Sequence, residues 1–138
     1  MKKSVKLLTG LLGFIMLIPG LAKFTEPFKT FIYKHLYFIG FPFPDVMQYV
    51  VKFGEVSVGL LMLYLAFKGQ SLSTNLRHKL FYLGNLSIIF IMLVGVYTHL
   101  HPDVPAAVLP LEFKPPIMPI SYILLVILNL YFYKKSRS

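Results

Sequence analysis

The sequence predicts an all-α fold: an integral membrane four-helix bundle with a short interfacial amphipathic helix between helices 1 and 2. It forms a single domain over residues 1–138. Three observations predict this. Four apolar runs reach the roughly 17 to 25 residues that cross a bilayer as a helix. Hydrophobic residues make up 57% of the chain against only five acidic ones, more apolar surface than so short a soluble domain hides. All but one of the 14 Lys and Arg residues, Lys52, flank those runs, as anchors at a membrane boundary do.

The first run, Val5 to Ala22, follows Lys2 and Lys3. Gly20-Leu21-Ala22 resembles a small-residue cleavage site, so a signal peptide is the competing reading. The run's length favours a true span. Pro19 is expected to loosen or kink it near its end. The second span covers about 46–67, with Pro44 ahead of it, Asp45 and Gln48 as a capping pair and Gly69 as the closing residue. The third covers about 79–100, entered by a turn near Ser73 or Thr74 and ended by His101-Pro102. The fourth covers about 117–133. Pro115, Pro116 and Pro119 lie at its entry, where missing amide donors cost least.

Between the first two spans, Phe28, Phe31, Ile32, His35, Leu36 and Ile39 recur at helical spacing, opposite Lys29, Tyr33 and Lys34. This pattern predicts an amphipathic helix in the interface, opened by Pro27. The connection from His101 to Pro116 carries five prolines and is expected to be stiff and irregular.

Basic residues near span ends set orientation. Lys2, Lys3, Lys6, Lys68, Arg77, Lys79, Lys134, Lys135 and Arg137 fall on the side of the termini. Lys23, Lys29, Lys34 and Lys114 fall on the other. Nine against four places both termini in the cytoplasm of a multi-pass inner (plasma) membrane protein. A net charge of +9 would suggest nucleic acid in a soluble chain, but no RNA-binding signature accompanies it and no nucleic-acid partner is expected. The chain has no cysteine, which excludes disulfides, a CxxC relay and thiolate metal ligands. Redox chemistry would need a bound cofactor or a partner.

A charge inside a bilayer costs roughly 2.5 kcal/mol or more, so the polar residues within the spans mark an inward face. Gln48, Lys52, Glu55 and Gly59 are spaced four, three and four apart and share one side of the second helix. Glu55 lies roughly 13 Å below Val46 at about 1.5 Å per residue. Thr9, Gly13, Gly20 and Lys23 on the first span, Gly84, Asn85, Gly95 and His99 on the third, and Ser121 and Asn129 on the fourth offer faces to receive it. Two readings of Glu55 follow. In one it forms a structural ion pair with Lys23 or Lys52. In the other it belongs to a site with Lys23, Lys52, Tyr97 and His99, which takes a quinone-like or other amphiphilic head group or exchanges protons.

His99, His101 and Asp103 form an H-x-H-x-D run that, with Glu112, offers ligands for a metal such as zinc. The run crosses a helix end, so spacing does not define its geometry. His35 and His78 read as interfacial residues. The many Phe and Tyr residues read as lipid-facing and interfacial, with no ring-stacking cofactor box required.

Leu11-Leu12-Gly13-Phe14, Pro19-Gly20-Leu21-Ala22-Lys23-Phe24, and Phe53-Gly54-Glu55-Val56 followed by Gly59-Leu60-Leu61-Met62-Leu63 resemble, in order and spacing, the DoxX family of small four-helix membrane proteins. The resemblance covers nearly the whole chain. Lys6 stands where the family more often has arginine, and the proline-rich 101–116 stretch departs from its compact connection. The resemblance implies an accessory subunit of a quinone-linked or redox-related membrane system, bound to other membrane subunits or to a second copy. It carries over only Lys23 and Glu55 as recurrent polar positions. No heme-ligand or flavin pattern is present, so an accessory or binding role is expected over an independent enzyme. The alternatives are a non-enzymatic assembly or chaperone subunit, and a lipid-binding protein or small transporter.

Overall fold

The computed structural model describes residues 1–137. The chain folds into five α-helices: α1 Lys3–Ala22, α2 Phe28–Phe38, α3 Pro44–Lys68, α4 Thr74–Leu100 and α5 Ile117–Arg137. Short 3₁₀ turns follow α3 and interrupt the α4–α5 connection. Helices α1, α3, α4 and α5 are each long and apolar enough to cross a membrane, and the chain is a multi-pass membrane protein. Leu7, Phe14, Phe67, Phe90 and many other large apolar side chains are exposed on its outer surface. Lipid is the solvent that such a surface fits.

The helix ends differ from expectation in instructive ways. Helix α3 begins at Pro44, and Phe43 before it adopts a left-handed conformation, φ 53°. Asp45 therefore lies inside the first turn and makes no side-chain cap. The Gln48 amide instead donates to the Asp45 carbonyl at 3.2 Å. Helix α4 starts at Thr74, before the apolar run, because the Ser73 hydroxyl accepts the Leu76 amide and secures the first turn. Helix α5 continues past Tyr133 to Arg137. Lys134, Lys135 and Arg137 occupy its last turn, where cations favour the helix dipole.

Helix α1 runs unbroken through Pro19. Proline has no amide proton, so the Ile15 carbonyl four residues earlier lacks its helical donor. The Tyr122 hydroxyl of α5 donates to that carbonyl at 2.9 Å, which satisfies the acceptor and ties α5 to α1.

The closest helix pair is α1 with α3. A methyl group at Gly59 would come within 2.7 Å of the Leu17 backbone nitrogen, and one at Gly13 within 2.9 Å of the Leu63 nitrogen. Such contacts are available only where side chains are absent. Around them Val5, Leu12, Met16, Met62, Leu65, Phe81, Ile88, Val126 and Tyr133 form the core. A polar knot crosses it near the terminal end. Asn129 donates to Thr9 Oγ1 and to Asn85 Oδ1, each at 3.1 Å, and Asn85 donates to the Phe81 carbonyl at 2.8 Å. All three side chains are buried, and their mutual bonds satisfy them where water is absent.

The other end of the bundle is covered by α2 and the α4–α5 connection. Val104, Val108 and Leu109 pack with Phe31, Phe38 and Ile39 into a small second core. Ile32 and Leu36 are buried as the amphipathic pattern predicts, whereas Phe28 at the head of the same stripe stays half-exposed.

Candidate functional site

The site grows from the α1–α3 approach. Gly20 lets Glu55 lie directly against α1, since a methyl group at position 20 would be 3.1 Å from the Glu55 Cβ and the Val56 nitrogen. Three residues later Lys23 closes α1, its backbone amide bonding back to Pro19 and Leu21. Its ammonium reaches Glu55 Oε2 at 2.6 Å. The side chains are 22% and 8% exposed respectively, so the carboxylate is the more deeply held partner. Of the two lysines that the sequence allows for Glu55, the structure selects Lys23.

Lys52 is engaged differently. It is fully buried (0% exposed), and its ammonium donates to Gln48 Oε1 at 3.1 Å, one turn earlier on α3. The rings of Tyr49 and Phe24 lie over it, with centroids at 4.7 and 5.3 Å. Aromatic faces attract a desolvated cation, which explains how a lysine persists here with no carboxylate bonded to it among the described residues. Phe24 leans edge-on against Phe53, centroids 5.4 Å apart. Both rings over Lys52 are partly exposed, so they make a thin roof. Tyr49 and Phe53 also line an open groove of about 530 Å³ along the outer side of α3, with Asp45, Val46, Val50, Gly54 and Ser57.

The structure does not join Tyr97 or His99 to this cluster. Tyr97 is 56% exposed, and its ring meets the edge of His101. His99 is buried and donates through Nδ1 to the Lys114 carbonyl at 3.1 Å. The metal candidates are likewise not assembled: among the described residues no three His, Asp or Glu side chains are placed to hold a metal ion. The physical reason is local. Helix α4 ends at Leu100 and His101 turns into extended backbone, where its Nδ1 accepts the Asp103 amide at 3.2 Å. Glu112 is exposed on a left-handed turn.

These groups fasten the cap over the bundle. Lys114 donates to the His101 and Val104 carbonyls, and His35 Nε2 donates to the Val108 carbonyl. Because a carbonyl only accepts, that bond assigns the His35 proton to Nε2. Burial, aided by the nearby Lys23 and His99 and opposed by the Val108 bond, holds His35 down at about 4. The imidazole is therefore neutral near pH 7.

Sequence reasoning missed three parts of this arrangement: the aromatic roof on Lys52, the Tyr122 bond to Ile15, and the closure of the Asn129 knot. Pro19 carried a usable signal, because an intramembrane proline requires a donor from a neighbouring helix. No family model, no curated protein and no solved structure matches this chain.

Proposed function

We propose that this chain is a non-enzymatic accessory subunit of a redox-linked membrane complex, of the DoxX kind, lying in the inner membrane with both termini in the cytoplasm. One observation carries the non-enzymatic reading: the Lys23–Glu55 pair is closed at 2.6 Å between α1 and α3, with the Glu55 side chain packed against Gly20. A carboxylate engaged by an ammonium and packed against a glycine clamps two helices. The redox link rests on the motif resemblance around Lys23 and Glu55, and the orientation on the nine-to-four distribution of basic residues. The aromatic groove on α3 is the surface on which a helix of the partner subunit packs. A photo-crosslinking residue at Val50 or Phe53 is expected to capture a defined membrane partner in the native membrane, and one at Phe90 on α4 is not. Equal capture at both places, or none at either, defeats this reading.

Lys52 supports a second reading, an amphiphile site. Its ammonium has one oxygen acceptor and a thin aromatic roof beside the groove, where a quinone-like carbonyl could replace Gln48. Saturable binding of a short-chain quinone that Lys52→Met abolishes supports it. Binding that is absent, or indifferent to Lys52→Met, removes it.

A further inference from the structure

The terminal end of the bundle contains an arrangement unrelated to the Lys23–Glu55 pair. An open cavity of about 360 Å³ lies there, lined by Lys2, Thr74, Arg77, Tyr133, Ser136 and Arg137 together with Met1. Three cationic side chains thus face one hollow. No acidic side chain balances them: the five in the chain are Glu26, Asp45, Glu55, Asp103 and Glu112, all in α3, at its start, or in the connections at the opposite end.

The two arginines are held in place. Arg77 donates through Nη1 to Gln70 Oε1 at 3.3 Å and lies near the Gly69 carbonyl, which leaves most of its five donors uncommitted. The Arg137 guanidinium lies over the Tyr133 ring, 5.7 Å from its centroid, and donates to the His78 imidazole. Tyr133 is itself anchored by stacking on Phe81 at 3.9 Å. The 27-residue helix α4 begins at the cavity wall with Thr74. Ser73 caps the Leu76 amide, so the amides of Thr74 and Asn75, which have no acceptor within the helix, add positive potential there.

We propose that this cavity is a phosphate-binding site whose natural occupant is the head group of an anionic phospholipid. Arginines recognise phosphate through paired donors, and a basic pocket between transmembrane helices at the level of the head groups is suited to an anionic lipid. The volume lies at the low end of the range for ligand pockets, enough for a head group whose acyl chains remain outside in the bilayer. A diffuse positive surface would attract the same lipids weakly and without regard to which lysines or arginines are present. A built pocket would not.

The test uses the full chain purified in a neutral detergent. Native mass spectrometry reads the retention of phosphatidylglycerol or phosphatidic acid against phosphatidylcholine, and inorganic phosphate is titrated separately as competitor. The double variant Arg77→Gln/Arg137→Gln is compared with Lys79→Gln/Lys134→Gln, which removes the same charge from exposed positions outside the cavity. The arginine variant is expected to retain the anionic lipids roughly ten- to thirtyfold less well, and the lysine variant to match the parent. Displacement of lipid by inorganic phosphate supports a phosphate-reading site, and lipid retention that resists phosphate assigns the occupant to the bilayer. Equal losses in the two variants, or no preference for anionic lipid over phosphatidylcholine, overturn the proposal.

Discussion

The Lys23–Glu55 pair predicts an asymmetric response to the loss of either partner. The carboxylate side chain is 8% exposed and the lysine side chain 22%. Lys23 closes α1 at the covered end of the bundle, so without its partner its flexible stem can carry the ammonium toward the head groups. Glu55 is packed against Gly20 and cannot move out. Lys23→Met therefore strands a buried carboxylate, at a cost of about 3 kcal/mol, the lower end of the range for breaking a buried pair. Glu55→Gln keeps an oxygen within reach of the lysine and costs about 1 kcal/mol. The double variant should lose about 1 to 2 kcal/mol, well under the sum, giving a coupling of about 2 kcal/mol or more. Titration of the micelle-solubilised protein with a denaturing detergent, followed by the near-ultraviolet circular dichroism of its tyrosines, measures all four members of the cycle. If Lys23→Met costs no more than Glu55→Gln, or if the two losses simply add, the pair does not clamp α1 to α3.

Three further outcomes follow from other contacts. Gly59→Ala should lower stability by about 1 to 3 kcal/mol, because its methyl group meets Leu17 backbone atoms at 2.7 to 2.9 Å. Gly54→Ala, which meets nothing within 4 Å, should be neutral or slightly stabilising, and matching thermal midpoints for the two would refute the close approach. Tyr122→Phe should cost about 1 to 2 kcal/mol by orphaning the Ile15 carbonyl. Pairing it with Pro19→Ala, which restores the helical donor, should recover most of the loss, and no recovery would contradict the assignment. His35 makes the cap sensitive to acid. Its folded-state value of about 4 lies below the ordinary 6.5, so its contribution is complete above 6.5. It drains away as the pH falls toward 4, by up to about 3 kcal/mol. Hydrogen exchange in α2 and in residues 101–116 should accelerate across that interval and become nearly flat in His35→Asn. An unchanged slope in the variant would locate the titrating group elsewhere.

Much of the architecture was legible because a bilayer leaves few alternatives. Backbone polar groups in lipid must be satisfied within each span, so apolar length alone announced four helices. The cost of charge in lipid turned the Gln48, Lys52, Glu55 and Gly59 stripe inward. The amphipathic spacing around Ile32 and Leu36 located α2, and Gly13, Gly20 and Gly59 marked where helices approach.

What remained open depended on distances between segments remote in the chain. Lys52, three residues from Glu55 on one helix, and Lys23, thirty-two residues away on another, were equally admissible partners, since spacing restricts only contacts within a helix. The α1–α3 crossing decided for Lys23, and Phe24 and Tyr49 then took the charge that Lys52 could not share with Glu55. The His99, His101 and Asp103 run was undecidable for a related reason. Beyond Leu100 the backbone leaves the helix, and periodicity says nothing of where a side chain points once its backbone is irregular. Packing between segments committed His35 and His99 to backbone carbonyls, and the local turn after α4 committed His101 to the Asp103 amide, instead of to one another. Sequence thus determined which residues must avoid lipid, because solvation acts on each residue separately. Only the folded bundle determined which of them meet, because pairing is a property of two surfaces brought together.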